Sequence, residues 1–155
     1  MSNPSVVSLQ LVAAVANGIA QAQQPAAAGA LTLNGSLVTA GIATMDVARR
    51  VLIASTGNDA NIVFTVNGTN QSGAPISSQV TGVTSANSQY TALDFATVTS
   101  VTASAGTAGN ITVGTNGVAS TPWVLDNFLA PTWALAVAVS LPAGNGTATY
   151  TVEHT

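Results

Sequence analysis

The sequence feature that most constrains the fold is an alternation with a period of two that begins at Asn61. The even-numbered residues of this stretch, Ile62, Phe64 and Val66, are apolar and fall on one face of an extended chain. Turn-forming residues bound the stretch, with Thr56 to Asp59 before it and Asn67 to Gly73 after it. The pattern therefore predicts a strand with one face in a hydrophobic core.

Neighbouring stretches extend this strand into a β-meander. Val47 to Ala54 is rich in β-branched residues and predicts the preceding strand. Pro75 has no N–H to donate to a ladder, so the following strand is expected to begin at Ile76. Ile76 and Val80 then continue the inward face.

Turn signals divide the flanking residues into further short strands. Asn34-Gly35 is a strong two-residue turn signal, which predicts a hairpin between residues 31–33 and 37–39. Residues 90–104 predict a strand whose inward anchors are Phe95, Val98 and Val101. The alternation shifts phase at Val98, so a bulge is expected at Thr99-Ser100. A strand resumes at Ile111, and Gly114 to Gly117 predicts another turn.

The last third of the chain combines an aromatic loop with two strands. Residues 121–133 hold both tryptophans and two prolines, so a structured loop is expected whose large side chains either close one end of the core or face a partner. Residues 134–141 are continuously apolar and predict a buried strand, and residues 147–153 predict a closing one. Together these patterns predict an all-β, antiparallel β-sandwich or jelly-roll-like domain over residues 30–155.

Residues 1–29 differ in composition and predict an N-terminal arm and linker. Val7, Leu9 and Leu11 alternate as in a strand, whereas the alanine content favours a helix from Val12 onward. Residues 21–29 are of low complexity, which is typical of a linker. The arm is expected to reach a partner; the alternative is an arm folded back on its own domain. A secretory signal and a membrane span are not expected, because the segment lacks a basic start and is too short and polar.

Charge is the unusual property of this chain. Only 5% of its 155 residues are charged, against roughly a quarter in typical domains, and there is no lysine. A surface so poor in charge lacks electrostatic repulsion, so we expect that neighbouring subunits cover much of it or that Thr, Ser, Asn and Gln side chains solvate it. The first case, a component of an assembly, is favoured. Nucleic-acid binding and membrane-surface binding are not expected, because both need several cations and the chain offers only Arg49 and Arg50.

The sequence gives no signature of catalysis, a cofactor or a metal. Zero cysteines exclude thiolate chemistry, and the one histidine, His154, is next to last in the chain. Asn58, Asp59 and Asn61 resemble a fragment of a calcium loop, but no carboxylate follows at the required spacing, so turn chemistry is favoured. A glycosidase-type pair of Asp94 and Asp126 is the weakest hypothesis. We therefore expect a protein that is not an enzyme.

Eight residues are candidates for contact with a partner. They are Val7, Leu9 and Leu11 in the arm, Arg49 and Arg50 in the first meander strand, and Trp123, Phe128 and Trp133 in the aromatic loop. Because adjacent strand residues point to opposite faces, at least one arginine should lie near solvent or a partner's carboxylate. Two roles remain open for the pair: an intersubunit salt bridge, or a charge that guards an edge strand.

Short phrases of the sequence resemble those of a known class of protein. The phrases STGNDANIVFTVNGTN and GAPIS within residues 50–78, FATVTSVTASAGTAGNITVGTNG at residues 95–117 and the closing TATYTVEHT look like head decoration, or cement, proteins of tailed bacteriophages. The resemblance implies a β-sandwich or jelly roll on the outer surface of the virion capsid. It also implies that the chain bridges subunits of the major capsid protein and self-associates as a trimer, with a dimer as the alternative.

Two other classes of function stay open at the level of sequence. A receptor-binding or adhesive module of a phage tail, neck or fibre would use exposed aromatics in a saccharide groove, and Trp123 and Trp133 are the candidates. A hydrolase on an all-β scaffold would depend on Asp94 and Asp126. Loss of turnover on replacing these aspartates with asparagine would identify the hydrolase.

Overall fold

The fold is described by a computed structural model for residues 11–85 and 87–120. These residues form eight strands and no helix. The strands are β1 (Ala20–Gln23), β2 (Gly29–Ala30), β3 (Val38–Thr39), β4 (Ile42–Ser55), β5 (Val63–Thr69), β6 (Pro75–Thr81), β7 (Asn87–Ala103) and β8 (Ile111–Ser120). Every strand pairing is antiparallel, so the predicted all-β antiparallel class is confirmed.

The strands follow the order β1-β8-β4-β7-β5-β6, with β2 also paired to β7 and β3 to β4. Side chains from both ends of this order meet in one hydrophobic core. Val51 of β4 and Val113 of β8 share that core with Phe64 of β5 and Val80 of β6. The sheet therefore buries its inner faces against each other, as in a sandwich.

The alternation predicted for the strand after Asn61 is confirmed, as is its hairpin with the strand after it. The predicted meander is wrong, because β7 lies between β4 and β5 in the sheet. Along β5, Phe64 and Val66 are buried, whereas the residues between them are only partly so. Val80 is buried and Ile76 packs against the core, as the inward face required. The bulge predicted at Thr99-Ser100 is also present: Asn67 pairs with Ser100 but the next residue, Gly68, pairs with Val98, which leaves Thr99 extra in β7.

Three larger bulges surround the middle of β4. Thr44 pairs with Thr97 and Arg49 with Phe95, so residues 45–48 of β4 oppose Ala96 alone. In the second bulge, residues 91–93 of β7 lie opposite the single residue Val51 of β4. In the third, residues 116–118 of β8 lie opposite the single residue Arg50 of β4. Bulges bend strands. They therefore let the long strands β4 and β7 curve around the core.

Side chains satisfy backbone groups that the bulges leave free. The Ala48 amide donates to Gln71 Oε1 at 2.9 Å, and Gln71 lies in the loop between β5 and β6. The Val51 amide donates at 2.9 Å to Oγ1 of Thr91, a fully buried residue whose hydroxyl in turn donates to the Leu93 carbonyl. An unpaired buried amide costs about 1–3 kcal/mol, so these two polar side chains are part of the fold.

The hairpin predicted at Asn34-Gly35 and the turn predicted at Gly114 to Gly117 are both wrong. The tight turn before β4 lies at Ala40-Gly41, where both residues have positive φ, of 50° and 80°. Asn34-Gly35 instead contacts the N-terminal segment, since both amides donate to the Ile19 carbonyl. Gly114 to Gly117 is not a turn either, because β8 continues through it to Ser120 and absorbs the extra residues as a bulge.

The described part of the predicted arm lies against the sheet. Residues 11–19 contain no helix, so the prediction of a helix from Val12 onward is wrong for them. Ile19 is fully buried in the core, and β1 and β2 take up part of the segment predicted as a linker. The alternative of a segment folded back on its own domain therefore describes residues 11–29. Residues 1–10 and 121–155, with the aromatic loop and the last two predicted strands, lie outside the described residues.

Candidate protein-contact surface

Residues 12–23, here called the strap, run along the edge of β8 that β4 does not use. Ala20 pairs with Val113, and the Ile19 amide donates to the Val113 carbonyl at 2.9 Å. Further along, the Thr115 amide donates to the Val15 carbonyl, and the Val15 amide donates to Thr115 Oγ1. The strap therefore covers a sheet edge that would otherwise be open to pairing with another chain.

An ion pair between the buried Arg49 and the partly exposed Asp46 fastens the first residue of the strap. Arg49 donates from Nε to Asp46 Oδ1 at 2.7 Å and from Nη2 to Asp46 Oδ2. The same Nη2 donates to the Val12 carbonyl, while Asp46 Oδ2 accepts the Val12 amide at 2.8 Å. Both backbone groups of Val12 are thus held by one ion pair, which we call the clasp.

The bulge in β4 is what makes the clasp geometrically feasible. In a regular strand Asp46 and Arg49, three residues apart, would point to opposite faces. In β4 the consecutive residues Val47, Ala48 and Arg49 are all buried, because the bulge interrupts the alternation. Asp46 and Arg49 therefore meet on the same side of the strand.

The environment of Asp46 favours its charged form. Partial burial on its own raises the pKa of this carboxyl, but the hydrogen bonds from Arg49 and from the Val12 and Val47 amides, with the attraction of the Arg49 charge, outweigh it. The net effect lowers the pKa of Asp46 from its ordinary value. The clasp is therefore ionised at neutral pH.

A second arginine lies on the outer face of the sheet within a mixed patch. We define the Arg50 patch as Arg50, Leu52, Tyr90, Leu93 and Asp94. Arg50 is opposite Asp94 and Leu52 is opposite Tyr90 across the β4–β7 ladder. The Arg50 guanidinium lies 5.3 Å from the centre of the Tyr90 ring, and its Nε lies 3.7 Å from Asp94 Oδ1. The pair is an ion contact without a hydrogen bond.

The Arg50 patch presents large side chains to solvent. Tyr90 is 49% exposed and Leu93 is 45% exposed. Beside Tyr90, an open groove of about 380 Å³ runs between β6 and β7, and its polar lining includes Gln79, Thr81 and Gln89. Tyrosine and arginine are enriched among the residues that dominate binding energy at protein interfaces. The patch therefore has the composition of a contact surface.

The third acidic residue of the described part has a structural role. Asp59 is buried, accepts the Ala108 amide at 2.6 Å and accepts the Ser55 hydroxyl. Its own amide donates to the Val83 carbonyl at 2.9 Å. Asp59 thus joins three loops at one end of the sheet, which agrees with turn chemistry at this stretch.

All five charged side chains of residues 11–85 and 87–120 are therefore engaged within the chain. Asp46 pairs with Arg49, Asp94 lies against Arg50, and Asp59 is buried among hydrogen bonds. What remains for the surface is hydroxyl, amide and apolar groups. Even the hydroxyls pair with each other, as Thr69 and Thr97 do at 2.7 Å. This part of the surface is electrically almost neutral.

The structure separates the two arginines that the sequence proposed as contacts. Arg49 is 1% exposed and held by the clasp, so its predicted contact with a partner is wrong. Arg50 points outward, but its carboxylate partner is Asp94 of the same chain. The alternative of a guarded edge strand is also wrong, because β4 lies between β7 and β8.

The remaining predicted contacts divide between one exposed residue and residues outside the described part. Leu11 is 51% exposed next to the clasp. Val7, Leu9, Trp123, Phe128 and Trp133 lie outside the described residues. Sequence reasoning missed Tyr90 and Leu93. Leu93 faces outward only because of the β7 bulge, and Tyr90 joins the patch through its pairing with Leu52, which the sequence does not show.

Groups for metal binding or catalysis do not cluster in the part of the chain that the structure describes. It contains no group of three or more aspartate, glutamate, histidine or cysteine residues that could hold a metal ion. Asp94 is occupied by Arg50, and its proposed partner Asp126 lies outside the described residues. The same ranges contain no helix long and apolar enough to cross a membrane. Comparison with protein-family models, curated proteins and solved structures found no match.

Proposed function

We propose that the chain is a virion structural protein that decorates the outer surface of a phage capsid. It cements the shell by bridging subunits of the major capsid protein, and it self-associates as a trimer, with a dimer as the alternative. The observation that carries this proposal is the internal use of all five charges between residues 11 and 120. The resemblance of the strand phrases to decoration proteins supports it.

The neutral surface explains how such a protein would act. Interface cores are depleted in charged residues and gain affinity from shape, apolar area and a few aromatic or arginine anchors. The Arg50 patch supplies that kind of anchor. A protein that binds only the assembled shell stabilises it by mass action, and no bond-making step is needed.

Cosedimentation with empty capsid shells, compared with free tails, tests the proposal. The chain should sediment with shells and remain in solution with tails. Leu93→Ala should weaken binding at least about tenfold if Leu93 is an anchor. Ile42→Ala is the matched control, since Ile42 is an aliphatic residue of similar exposure at the start of β4. Absence of sedimentation with shells would refute the proposal, and equal weakening by both variants would refute the role of the patch.

The groove beside Tyr90 favours one second candidate, a receptor-binding or adhesive module. Its amide and hydroxyl lining next to an exposed ring has the groups that bind saccharides. Binding of the chain to a glycan array, abolished by Tyr90→Ala, would favour this candidate over capsid decoration.

A further inference from the structure

Five asparagines of this chain are followed by glycine, at positions 17, 34, 67, 116 and 145. An Asn–Gly dipeptide can deamidate, because the glycine nitrogen reaches the asparagine Cγ without hindrance from a side chain. The reaction requires a free glycine amide and a backbone that can bend. The sequence gives every pair the same chemistry, so the fold decides which of them reacts. Asn145 lies outside the described residues, which contain the other four pairs.

Three of the described pairs are held in unreactive arrangements. At Asn34, the Gly35 amide donates to the Ile19 carbonyl at 3.1 Å and the side-chain Oδ1 accepts the Gln21 amide at 2.8 Å. A Cβ on Gly35 would lie 2.2 Å from the Gly18 carbonyl, which shows how closely the dipeptide is enclosed.

Asn67 and Asn17 are restrained by different contacts. Asn67 donates from Nδ2 to Ser100 Oγ at 3.1 Å, and a Cβ on Gly68 would lie 1.9 Å from the Thr97 carbonyl oxygen. Asn17 is exposed, but Gly18 is buried and its amide donates to the Val15 carbonyl at 3.1 Å. Reaction at either site requires local opening of paired backbone.

Asn116 differs from these three sites. It lies in the β8 bulge, where residues 116–118 oppose a single residue of β4 and have no register partner of their own there. Gly117 is exposed, and no atom of the described residues lies within 4 Å of the position that a Cβ would occupy. The Val118 amide donates to Asn116 Oδ1 at 2.9 Å. This bond is local and holds the carboxamide beside the Gly117 peptide, whereas the bond at Asn34 ties the side chain to a segment thirteen residues away.

We propose that Asn116 is a site of spontaneous deamidation. The Gly117 nitrogen loses its proton to hydroxide and attacks Asn116 Cγ; the N–Cγ bond forms, the Cγ–Nδ2 bond breaks, and the nitrogen leaves as ammonia. Water then opens the cyclic imide at either carbonyl, giving aspartate or isoaspartate. The only co-reactant is water, and no atom is oxidised or reduced.

The product changes the clasp. Arg49 Nη1 donates to the Asn116 carbonyl at 3.4 Å, so the new carboxylate arises next to the guanidinium that holds Val12. It competes with Asp46 for Arg49 and weakens the attachment of the strap. It also adds a negative charge that has no dedicated partner to a surface whose charges are otherwise engaged.

Peptide mapping by mass spectrometry of the full chain, incubated in mildly alkaline buffer, tests the proposal. The Asn116 peptide should convert at least about tenfold faster than the peptides of Asn17, Asn34 and Asn67, because those three sites must open first. In urea the four sites should convert at similar rates. The proposal is overturned if any of the three converts as fast as Asn116 in the folded chain.

Two variants test separately the deamidation of Asn116 and its effect on the attachment of the strap. Asn116→Gln should reduce the amount of the time-dependent acidic species seen on anion exchange, and an unchanged amount would refute the assignment. Asn116→Asp should speed amide hydrogen exchange at residues 12–18. Unchanged exchange in this variant would refute the weakening of the strap.

Discussion

The clasp leads to a prediction that compares two aspartate–arginine pairs in the same protein. Asp46 and Asp94 have nearly equal side-chain exposure, 25% and 24%, but their partners differ: the side chain of Arg49 is 2% exposed and that of Arg50 is 35% exposed. Asp46→Ala leaves the buried Arg49 guanidinium without its counter-ion. Asp94→Ala leaves a guanidinium that water can still reach.

The magnitudes follow from this difference in burial. Stranding a buried charge costs about 3–5 kcal/mol, so Asp46→Ala should lower the free energy of unfolding by that amount. Asp94→Ala should cost less than about 1 kcal/mol, because its pair is partly solvated and has no hydrogen bond. Combining Asp46→Ala with Arg49→Met removes the stranded charge, so the double variant should be more stable than Asp46→Ala alone.

Urea unfolding followed by circular dichroism measures all of these variants. The reasoning is refuted if the two aspartate variants lose equal stability. It is also refuted if the effects of Asp46→Ala and Arg49→Met simply add, because additivity would mean that the two groups do not interact.

Three further predictions concern pH, a close strand contact and the Asp59 junction. The folded-state pKa of Asp46 is lowered, so its contribution to stability should be complete above the unfolded-state pKa of about 3.9 and lost as pH falls through the folded value. On acidification, Asp46→Asn should therefore lose less resistance to urea than the unmodified protein does. An identical loss in both proteins would contradict the assignment. Gly68→Ala should destabilise the fold by about 1–3 kcal/mol, because the new Cβ would meet the Thr97 carbonyl. Gly117→Ala, whose Cβ would meet no atom of the described residues, should change stability by less than about 0.5 kcal/mol in thermal unfolding. Equal effects would argue against the β5–β7 contact. Asp59→Ala should lower the free energy of unfolding by about 2–4 kcal/mol, because Asp59 joins three loops. Asn58→Ala, at the exposed neighbouring residue, should lower it by less than about 0.5 kcal/mol. Urea unfolding measures both variants, and similar losses of stability would contradict the role of Asp59 as a junction.

Local periodicity predicted the parts of the fold in which each strand keeps a regular pleat. Phe64 and Val66 were placed correctly because β5 alternates without interruption. The bulge at Thr99 could be predicted because the phase shift is visible in the spacing of Phe95, Val98 and Val101. Short-range patterns suffice where neighbours on the same strand determine burial.

The failures share a physical cause, which is long-range contact. Ala20 to Gln23 has the composition of a linker, yet it forms a strand because β8 presents an edge more than eighty residues away. The turn at Asn34-Gly35 does not form because Ile19 takes both amides. Tertiary pairing of this kind leaves no local signal.

The contact surface was predictable only in outline. The low charge correctly suggested a surface of amides, hydroxyls and apolar groups, but not which arginine would be buried. Alternation inward from Phe95 would place Leu93 in the core, and the bulge at residues 91–93 reverses it. The pairing of Asp46 with Arg49 likewise depends on a bulge that the alternation of β4 does not reveal.

Salt dependence of shell binding tests the central claim most directly, because that claim is a contact surface without free charge. The fraction of the chain that cosediments with empty capsid shells should be unchanged between about 0.05 M and about 1 M sodium chloride, although the screening length falls severalfold over that range. A fraction bound that falls steeply with salt, as charged interfaces require, would contradict the claim.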